Sequence, residues 1–297
     1  MSAGNILITG ANGFLGGKIA REIINNTKYN VLAVASSREK VVEMEERENI
    51  KCSDRIDFCS NEDFFRSDTI LENIYGAVHL AFSRRVRPAS EIAGSLQFAS
   101  RVFHRFAECR IDRVINMSSQ GIYGGTENIR TENTPPAPET HYTMAKYAAE
   151  ILFNDIMRDC GHYTNMRLDL VTQSQNIIKV LCRQAKEGQL HLKGGKQCFS
   201  FIDGKDAASA VVALLQTEGS WKREYNVGWN RCRYTLIELA DIIADTAAAR
   251  GYPKPEIILD KQDISLWAGM DSSRFMDETG WKPTIRLKQT IIEMLKA

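Results

Sequence analysis

The stretch ILITGANGFLGG, residues 6–17, sets three glycines at a spacing of three directly after a short apolar run. Residues 6–8 predict a buried strand, and apolar residues at helical spacing predict a helix over 13–25. A second apolar run at 29–35 predicts another strand, which completes a βαβ unit. The glycines would let a ligand approach the backbone closely, and the N–H groups at the helix N-terminus would suit a pyrophosphate.

Two other interpretations of this loop are a plain strand-to-helix turn and a Walker-type loop. A tight strand-to-helix turn would also use glycine, because glycine adopts positive φ angles without strain. The βαβ context favours a binding loop over a plain turn. A Walker-type loop ending at Gly17 and Lys18 would need glycine at Asn12 and serine or threonine at Ile19. We therefore expect a dinucleotide rather than a triphosphate.

The composition is that of an ordinary globular protein. Of the 297 residues, 43% are hydrophobic and 25% are charged, with a net charge of +1, so neither nucleic acid nor a membrane is expected as a partner. No apolar run reaches membrane-spanning length and the first strand begins by about Asn5, so we expect a cytoplasmic chain without a signal peptide. The seven cysteines and five histidines show no ligand spacing, so we expect reduced thiols and no metal.

Strand-like and helix-like stretches alternate through the first half of the chain. Further strands are predicted at 55–59, 77–81, 113–118 and 163–168, and helices at 38–47, 91–109 and 142–160. This alternation predicts an α/β fold with a Rossmann-like, doubly wound parallel sheet. We expect a dinucleotide-binding domain from residues 1–168 and about 201–230. Residues 169–200 and 231–297 are expected to form a smaller, interrupted C-terminal substrate domain.

The stretch HYTMAKYAAE places Tyr142 and Lys146 four residues apart, on one face of a helix. An ammonium beside a phenol favours the phenolate, which makes tyrosine a usable proton donor and acceptor near neutral pH. Ser118 and Ser119 end the fifth predicted strand, where a hydroxyl could bind the oxygen that Tyr142 protonates. Each feature alone also suits a purely structural role, but their order after the glycine loop favours catalysis.

These motifs resemble those of the extended short-chain dehydrogenase/reductase family, in its NAD(P)-dependent branch of nucleotide-sugar epimerases, dehydratases and reductases. TGANGFLGG resembles the TGxxGxxG loop, VHLA the fourth-strand signature, and SSQGIYG and YTMAK the serine segment and the YxxxK motif. FIDGKDAASAV, YNVGWN and DSSRFMDETGWKP resemble C-terminal landmarks, so the likeness covers nearly the whole chain. The resemblance implies that Ser119 is the catalytic serine, Tyr142 the acid/base and Lys146 the residue that holds the nicotinamide ribose.

The resemblance also implies which residues surround the ligands. Cofactor contacts are expected from Gly10, Asn12, Gly13, Phe14, Leu15, Gly16, Ser36, Ser37, Arg38, Leu80, Ala81, Phe82, Ser118, Tyr142, Lys146, Leu170 and Val171. Substrate contacts are expected from Ser83, Arg84, Gln120, Lys193 and Trp229. The implied chemistry is hydride transfer between a sugar carbon and the nicotinamide, while Tyr142 moves the hydroxyl proton.

The end of the second predicted strand bears on the choice of cofactor. Members that prefer NAD place an acidic residue there for the adenosine ribose. This chain has Ser36, Ser37 and Arg38 instead, whose hydroxyls and guanidinium suit a 2′-phosphate. NADP(H) is therefore favoured, and NAD(H) stays an alternative because the same residues suit a solvated turn.

Several positions depart from the family pattern. The Asp-Glu pair of the dehydratases is replaced by Gln120 and Gly121, which argues against dehydration. An arginine that contacts a nucleotide diphosphate is replaced by Phe199, and an asparagine frequent on the fourth helix by Ser95. RLDLVTQSQN replaces the segment RPxNVYGP, so an unusual substrate pocket is expected.

These observations predict a nucleotide-sugar epimerase of the 4-epimerase type. One alternative is an NADPH-dependent ketoreductase of a keto-sugar nucleotide or another carbonyl substrate. Another is a non-catalytic NADP-sensing protein, which would not need a tuned phenol at Tyr142. The expected partner is a small-molecule substrate, a nucleotide sugar by resemblance, and a homodimer is compatible with the sequence.

Overall fold

A computed structural model describes residues 4–83, 86–174 and 177–296. The strands are β1 (Asn5–Thr9), β2 (Asn30–Ala35), β3 (Ile56–Ser60), β4 (Ile74–His79), β5 (Arg113–Ser119), β6 (His162–Leu168), β7 (Leu170–Val171), β8 (Gln189–Lys193), β9 (Cys198–Phe199), β10 (Phe201–Ile202), β11 (Glu224–Val227), β12 (Tyr234–Thr235) and β13 (Glu256–Asp260). The helices are α1 (Phe14–Asn26), α2 (Arg38–Glu48), α3 (Asn61–Arg66), α4 (Ala89–Glu108), α5 (His141–Ile156), α6 (Ile177–Lys186), α7 (Gly204–Gln216), α8 (Leu236–Ala249), α9 (Ser273–Thr279) and α10 (Leu287–Lys296).

The main sheet has seven strands in the order β11-β6-β5-β4-β1-β2-β3. β1 pairs in parallel with β2 and with β4, so that Leu7 lies opposite both Leu32 and Ala77. The chain winds outward from β1 to β3 and then starts again at β4 on the other side, which confirms the predicted doubly wound sheet. Ligands bind such sheets beyond the carboxyl ends of the strands at this switch point.

The strands of this sheet are apolar on both faces because helices cover both sides. Ile6, Leu7 and Ile8 are fully buried, as are Phe103 and Phe106 of α4, which pack in the same region. This burial explains why the first strand reads as an uninterrupted apolar run rather than as an alternating one. The rigid sheet fixes where the loops after β1 and β4 begin.

Two predicted elements, β4 and α5, have a boundary that differs from the structure by more than two residues. β4 covers Ile74–His79 rather than 77–81, because the chain turns after Leu80 donates its N–H to the Thr9 carbonyl oxygen at 3.1 Å. α5 ends at Ile156 rather than at 160, because Cys160 closes a turn onto the Met157 carbonyl oxygen at 2.9 Å. Ala81 therefore lies in the loop after β4.

The chain divides into two compact units. The first comprises Met1–Ile122, Pro138–Arg167 and Ala208–Tyr225, and the second comprises Tyr123–Ala137, Leu168–Ala207 and Asn226–Ala297. The chain returns to the first unit at Ala208 rather than at about 201, because β10 pairs with β7 inside the second unit. Their assignment to cofactor and substrate stays a prediction.

The second unit has its own apolar core. Helices α6, α8 and α10 contribute Leu181, Leu239, Ile243 and Ile291, each fully buried. β8 and β13 pair in parallel beside them, with Leu190 opposite Ile257. Among the residues that the structure describes, no helix has the length and apolarity needed to cross a membrane.

Candidate active site

The glycine loop between β1 and α1 is held by close backbone contacts. Gly10 has a φ angle of 75°, and a Cβ atom there would lie 2.9 Å from the backbone nitrogen of Ala81. A Cβ atom on Gly16 would lie 2.4 Å from the carbonyl oxygen of Gly10. Both positions therefore require glycine, Gly10 for its left-handed backbone and Gly16 for the packing of the loop onto α1.

The third glycine of the motif faces outward. Gly13 is exposed, and its N–H group bonds to the Gly10 carbonyl oxygen at 2.9 Å. It precedes the first turn of α1, which has no side-chain cap. Uncapped N–H groups at a helix N-terminus, here beginning at Phe14 and Leu15, and the positive end of the helix dipole are features that favour anions, so binding of a pyrophosphate here stays a prediction.

A cavity of about 490 Å³ opens beside this loop at the carboxyl ends of β1, β2 and β4. Its lining comprises Gly10, Asn12, Gly13, Val34, Ala35, Ser36, Asn61, Leu80, Ala81, Phe82, Ser83, Glu91, Gly94, Ser95 and Phe98. A dinucleotide needs N–H groups for its pyrophosphate and apolar walls for its base, and this cavity offers both. The residues present therefore fit such a cofactor.

The predicted catalytic pair lies on the first two turns of α5. Thr140 caps this helix by accepting the N–H of Thr143 at 3.2 Å, so that the helix begins at His141. The Tyr142 ring stands edge-on to the Phe82 ring, with centroids 6.1 Å apart. The Lys146 Nζ lies 4.1 Å from the centre of the same Phe82 ring. Phe82 lines the cavity, so it joins the pair to the expected cofactor site.

Lys146 is buried and held by one backbone acceptor. Its Nζ donates to the Met117 carbonyl oxygen at 2.8 Å. Burial lowers the pKa of Lys146 to about 7, and the Glu150 carboxylate partly opposes this shift. The ammonium that would favour the Tyr142 phenolate is thus fully formed only below about pH 7, and the sequence alone does not reveal this effect of burial.

The two serines at the end of β5 differ in their surroundings. Ser119 is half-buried, and its Oγ accepts the Gly121 N–H at 3.2 Å. Ser118 is buried, and its hydroxyl has no hydrogen-bond partner among the described residues. A Cβ atom on Gly121 would lie 2.8 Å from the Thr143 methyl group, so the segment after Ser119 packs against the first turn of α5.

The three residues that follow β2 do not line the same cavity. Ser36 lines the glycine-loop cavity, and its Oγ accepts a hydrogen bond from Lys40 Nζ at 2.9 Å. Ser37 precedes α2 as its N-cap residue. Arg38 instead lines a second cavity of about 430 Å³, together with Val41, Glu45, Phe58 and others. The structure therefore brings Ser36, but not Arg38, to the cavity at the glycine loop.

The predicted substrate residues fall into both units. Ser83 lines the glycine-loop cavity, where its N–H donates to the Ser95 Oγ at 2.9 Å, and Gln120 is buried after β5. Lys193 is exposed at the end of β8, and Trp229 donates from Nε1 to the Ile285 carbonyl oxygen at 3.2 Å. Arg84 lies outside the described residues.

Leu170 and Val171 were predicted to contact the cofactor. In the second unit they form the short strand β7, which pairs in parallel with Phe201 and Ile202 of β10. Both are half-buried. Their contact with a cofactor stays a prediction.

Two basic residues near the loop were not predicted from the sequence. Arg47 donates to the carbonyl oxygens of Asn12 at 3.3 Å and Gly13 at 3.1 Å. No local spacing reveals this contact, since Arg47 lies 34 residues after Gly13. Lys40 follows Ser36 by four residues, a helical spacing that could have indicated their contact.

Comparisons with known proteins agree with this geometry. The dTDP-glucose 4,6-dehydratase of Haemophilus influenzae is 25% identical over 342 residues, covering 98% of this chain and 97% of the relative. The structure of UDP-N-acetylglucosamine 4-epimerase from Bacillus cereus matches with a TM-score of 0.82 at 20% identity, covering 99% of this chain and 100% of that one.

A second solved structure has the same fold and a bound cofactor. UDP-glucuronic acid 4-epimerase from Bacillus cereus, in complex with UDP-glucuronic acid and NAD, matches with a TM-score of 0.81 at 18% identity, covering 98% of this chain and 99% of that one. The family model described as NAD dependent epimerase/dehydratase matches residues 6–228, which include the glycine loop and the Tyr142–Lys146 pair. The chain belongs to the NAD-dependent epimerase/dehydratase family and is an enzyme that depends on a nicotinamide dinucleotide.

Proposed function

We propose that this enzyme is a nucleotide-sugar 4-epimerase that uses Tyr142 as its acid/base. The observation that carries the proposal is the position of Phe82, which lines the glycine-loop cavity and contacts both Tyr142 and Lys146. A substrate carbon that reacts with a dinucleotide in this cavity would therefore be close to the phenol. The proposed substrate class follows the UDP-sugar epimerases with the same fold.

Each residue of the site has a distinct role in this proposal. Tyr142 takes the proton of the sugar 4-hydroxyl and returns it to the 4-keto oxygen. Lys146 favours the Tyr142 phenolate by its charge and binds the nicotinamide ribose. Ser119 donates a hydrogen bond to the same sugar oxygen and so orients it.

The glycine loop, the first turn of α1 and the cavity wall at Leu80 and Ala81 would hold the dinucleotide. When bound, it supplies a hydride acceptor and donor for the sugar carbon. For epimerisation the site must hold the 4-keto sugar while it turns. Tyr142 then protonates its oxygen in the new orientation.

Epimerisation is favoured over dehydration by the steric surroundings of Gly121. Its position corresponds to the glutamate of the dehydratases, yet a Cβ atom there would lie 2.8 Å from the Thr143 methyl group. Any side chain at this position would have to displace the Thr143 methyl group. The neighbouring aspartate position holds Gln120, which lacks a titratable carboxyl. The site thus lacks the acid pair that elimination of water requires.

The proposal further assigns NADP(H) as the preferred cofactor. Ser36 lines the cavity, and its hydroxyl accepts a hydrogen bond from the exposed Lys40 ammonium at 2.9 Å. No carboxylate follows β2 before Glu39, so a 2′-phosphate would meet attraction there rather than repulsion. NAD(H) is the alternative, since NAD is bound in the related epimerase structure.

A ketoreductase of another carbonyl substrate is the second candidate, and Phe199 favours it. This residue replaces an arginine that the family uses for a nucleotide diphosphate. The Phe199 ring stacks on Phe201 with centroids 6.1 Å apart, so the position is apolar. A substrate without a diphosphate would suit this surface better.

The deciding experiment incubates the enzyme with nucleotide sugars, including UDP-glucose, UDP-N-acetylglucosamine, UDP-glucuronic acid and dTDP-glucose. Nuclear magnetic resonance of the sugar ring distinguishes a C4 epimer from starting material. An epimer formed without net cofactor consumption supports the proposal. Loss of water would identify a dehydratase, and stoichiometric oxidation of NADPH would identify a reductase.

A further inference from the structure

The buried side of α5 carries one carboxylate between two cationic groups. Glu150 lies one helical turn after Lys146, and it is 1% exposed. Arg167 of β6, 4% exposed, donates to the Glu150 carboxylate from Nε at 3.1 Å and from Nη2 at 2.7 Å. Burying such an ion pair costs desolvation energy, so its presence is weak evidence that the pair serves only to stabilise the fold.

The groups around Lys146 leave Glu150 as the negative charge that acts on it. The Lys146 Nζ donates to a neutral carbonyl oxygen, that of Met117. His79 of β4 faces it as a neutral ring, because burial lowers the pKa of His79 to about 3. Tyr142 lies one turn before Lys146 on α5 and ends in a phenol. The Glu150 carboxylate is the group that opposes the burial of the Lys146 ammonium.

We propose that Glu150 is a positioning residue for the acid/base step, because its carboxylate keeps Lys146 protonated beside Tyr142. Arg167 sets the strength of this effect, since its guanidinium neutralises part of the same carboxylate. This inference rests on the proposed role of Lys146 and adds a control of its charge. The Glu150–Arg167 pair thereby tunes the phenol without contacting substrate or cofactor.

Removing the charge of Glu150 and removing the charge of Arg167 should shift the pKa of Lys146 in opposite directions. Glu150→Gln removes the negative charge, so the pKa of Lys146 should fall. Arg167→Met removes the competing cation and leaves the carboxylate, so the pKa of Lys146 should rise. A purely structural pair would instead loosen α5 in both variants, and Lys146 would respond in the same direction.

The experiment measures the Lys146 charge directly. Protein labelled with ¹³C at the lysine Cε is titrated by nuclear magnetic resonance, and Lys146→Met identifies the Lys146 signal. We expect a pKa lower by about one pH unit in Glu150→Gln and higher in Arg167→Met. Asp155→Asn is the matched control, because Asp155 lies on the same helix in an exposed pair with Arg158 at 2.7 Å. It should leave the Lys146 titration unchanged.

Shifts in the same direction, or no shift in either variant, would overturn the proposal. If Glu150→Gln does not fold, Arg167→Met is compared with the double variant Arg167→Met/Glu150→Gln. Both lack the guanidinium, so their difference isolates the carboxylate, and an equal pKa in the two would also overturn the proposal. The titration needs no substrate, so opposite shifts without epimerase activity would refute the proposed function and leave this inference standing. In an active enzyme, the pH–rate profiles should move in parallel with the Lys146 pKa.

Discussion

The segment after Ser119 packs closely against the first turn of α5: a Cβ atom at Gly121 would lie 2.8 Å from the Cγ2 methyl group of Thr143. Tyr142 is in that same turn, so the contact couples the end of β5 to the acid/base. A carboxylate added at this point must displace the Thr143 methyl group, which lies in the turn that carries Tyr142.

The first prediction concerns Gly121→Glu. The new side chain should displace Thr143, lower the free energy of unfolding by roughly 1–3 kcal/mol through overpacking, and reduce epimerase turnover. It should not create dehydratase activity. Thermal unfolding and mass spectrometry of the products measure both effects. Gly94→Ala on α4 is the control, because no atom lies within 4 Å of its added Cβ, and it should not destabilise the fold.

The second prediction concerns Tyr142→Phe. Turnover should fall by about 10²–10⁴-fold because the variant loses the acid/base but keeps the ring. Cofactor affinity and thermal unfolding should change little, since the contact with Phe82 is preserved. Tyr147→Phe on the same helix should keep full turnover. Near-complete activity of Tyr142→Phe would show that another group serves as the acid/base.

The third prediction concerns the pH dependence of stability. The pKa of Lys146 is about 7 in the folded chain, whereas an unperturbed lysine has a pKa of 10.5. Between these two pH values, therefore, Lys146 carries a proton in the unfolded chain but not in the folded one. Stability should therefore rise with pH across this window, by about 1.4 kcal/mol per pH unit for one proton. Below about pH 7 both states are protonated and the contribution is constant.

Lys146→Met tests this sign, because methionine packs similarly and does not titrate. The variant should be more stable than the wild type below about pH 7, and this advantage should shrink as the pH rises towards 10. Denaturant unfolding of both proteins at several pH values gives their free energies of unfolding. In the difference between the two proteins, the contributions of the other titrating groups cancel. A difference that does not vary with pH would show that Lys146 stays charged in the fold.

The fourth prediction concerns Arg47, which donates to the carbonyl oxygens of Asn12 and Gly13. These hydrogen bonds polarise the peptide groups of the loop and strengthen the N–H group of Phe14 as a donor. Arg47→Met should weaken dinucleotide binding about tenfold while adenosine binding is unchanged. Calorimetric titration measures both ligands. Arg66→Met, at an exposed arginine on α3 paired with Glu62, should leave both affinities as they are.

The fifth prediction concerns the choice of cofactor. Lys40→Met should weaken NADPH binding more than NADH binding, because the Lys40 ammonium is hydrogen-bonded to Ser36, which lines the cavity. Arg38→Met should have a smaller effect, since Arg38 lines the other cavity. Equal affinities of the wild type for NADPH and NADH would contradict the assignment of NADP(H).

The residues that could be predicted from the sequence are those whose geometry is local. Gly10, Gly13 and Gly16 follow a strand and open a helix, and backbone geometry alone places them in one turn. Tyr142 and Lys146 share a helix face because they are four residues apart. These relationships hold in any fold that contains the two elements, so the structure shows the predicted βαβ unit and places Tyr142 and Lys146 on one helix, while their catalytic role stays a prediction.

The contacts that could not be predicted act across long chain separations. Arg47 reaches the glycine loop, Phe82 joins the cavity to the catalytic pair, and Arg38 turns to a different cavity than its neighbour Ser36. None of these contacts has a period or spacing in the sequence. Each depends on which elements the sheet brings side by side.

The sequence by itself determined the fold class, the glycine loop and the spacing of the phenol and the amine. Only the tertiary structure decided the charge of that amine. Burial disfavours the Lys146 ammonium, and the Glu150 carboxylate, which also binds Arg167 of β6, partly restores it. The physical reason is that helix spacing is a short-range property of the backbone, whereas desolvation and ion pairing are set by every element packed around a group.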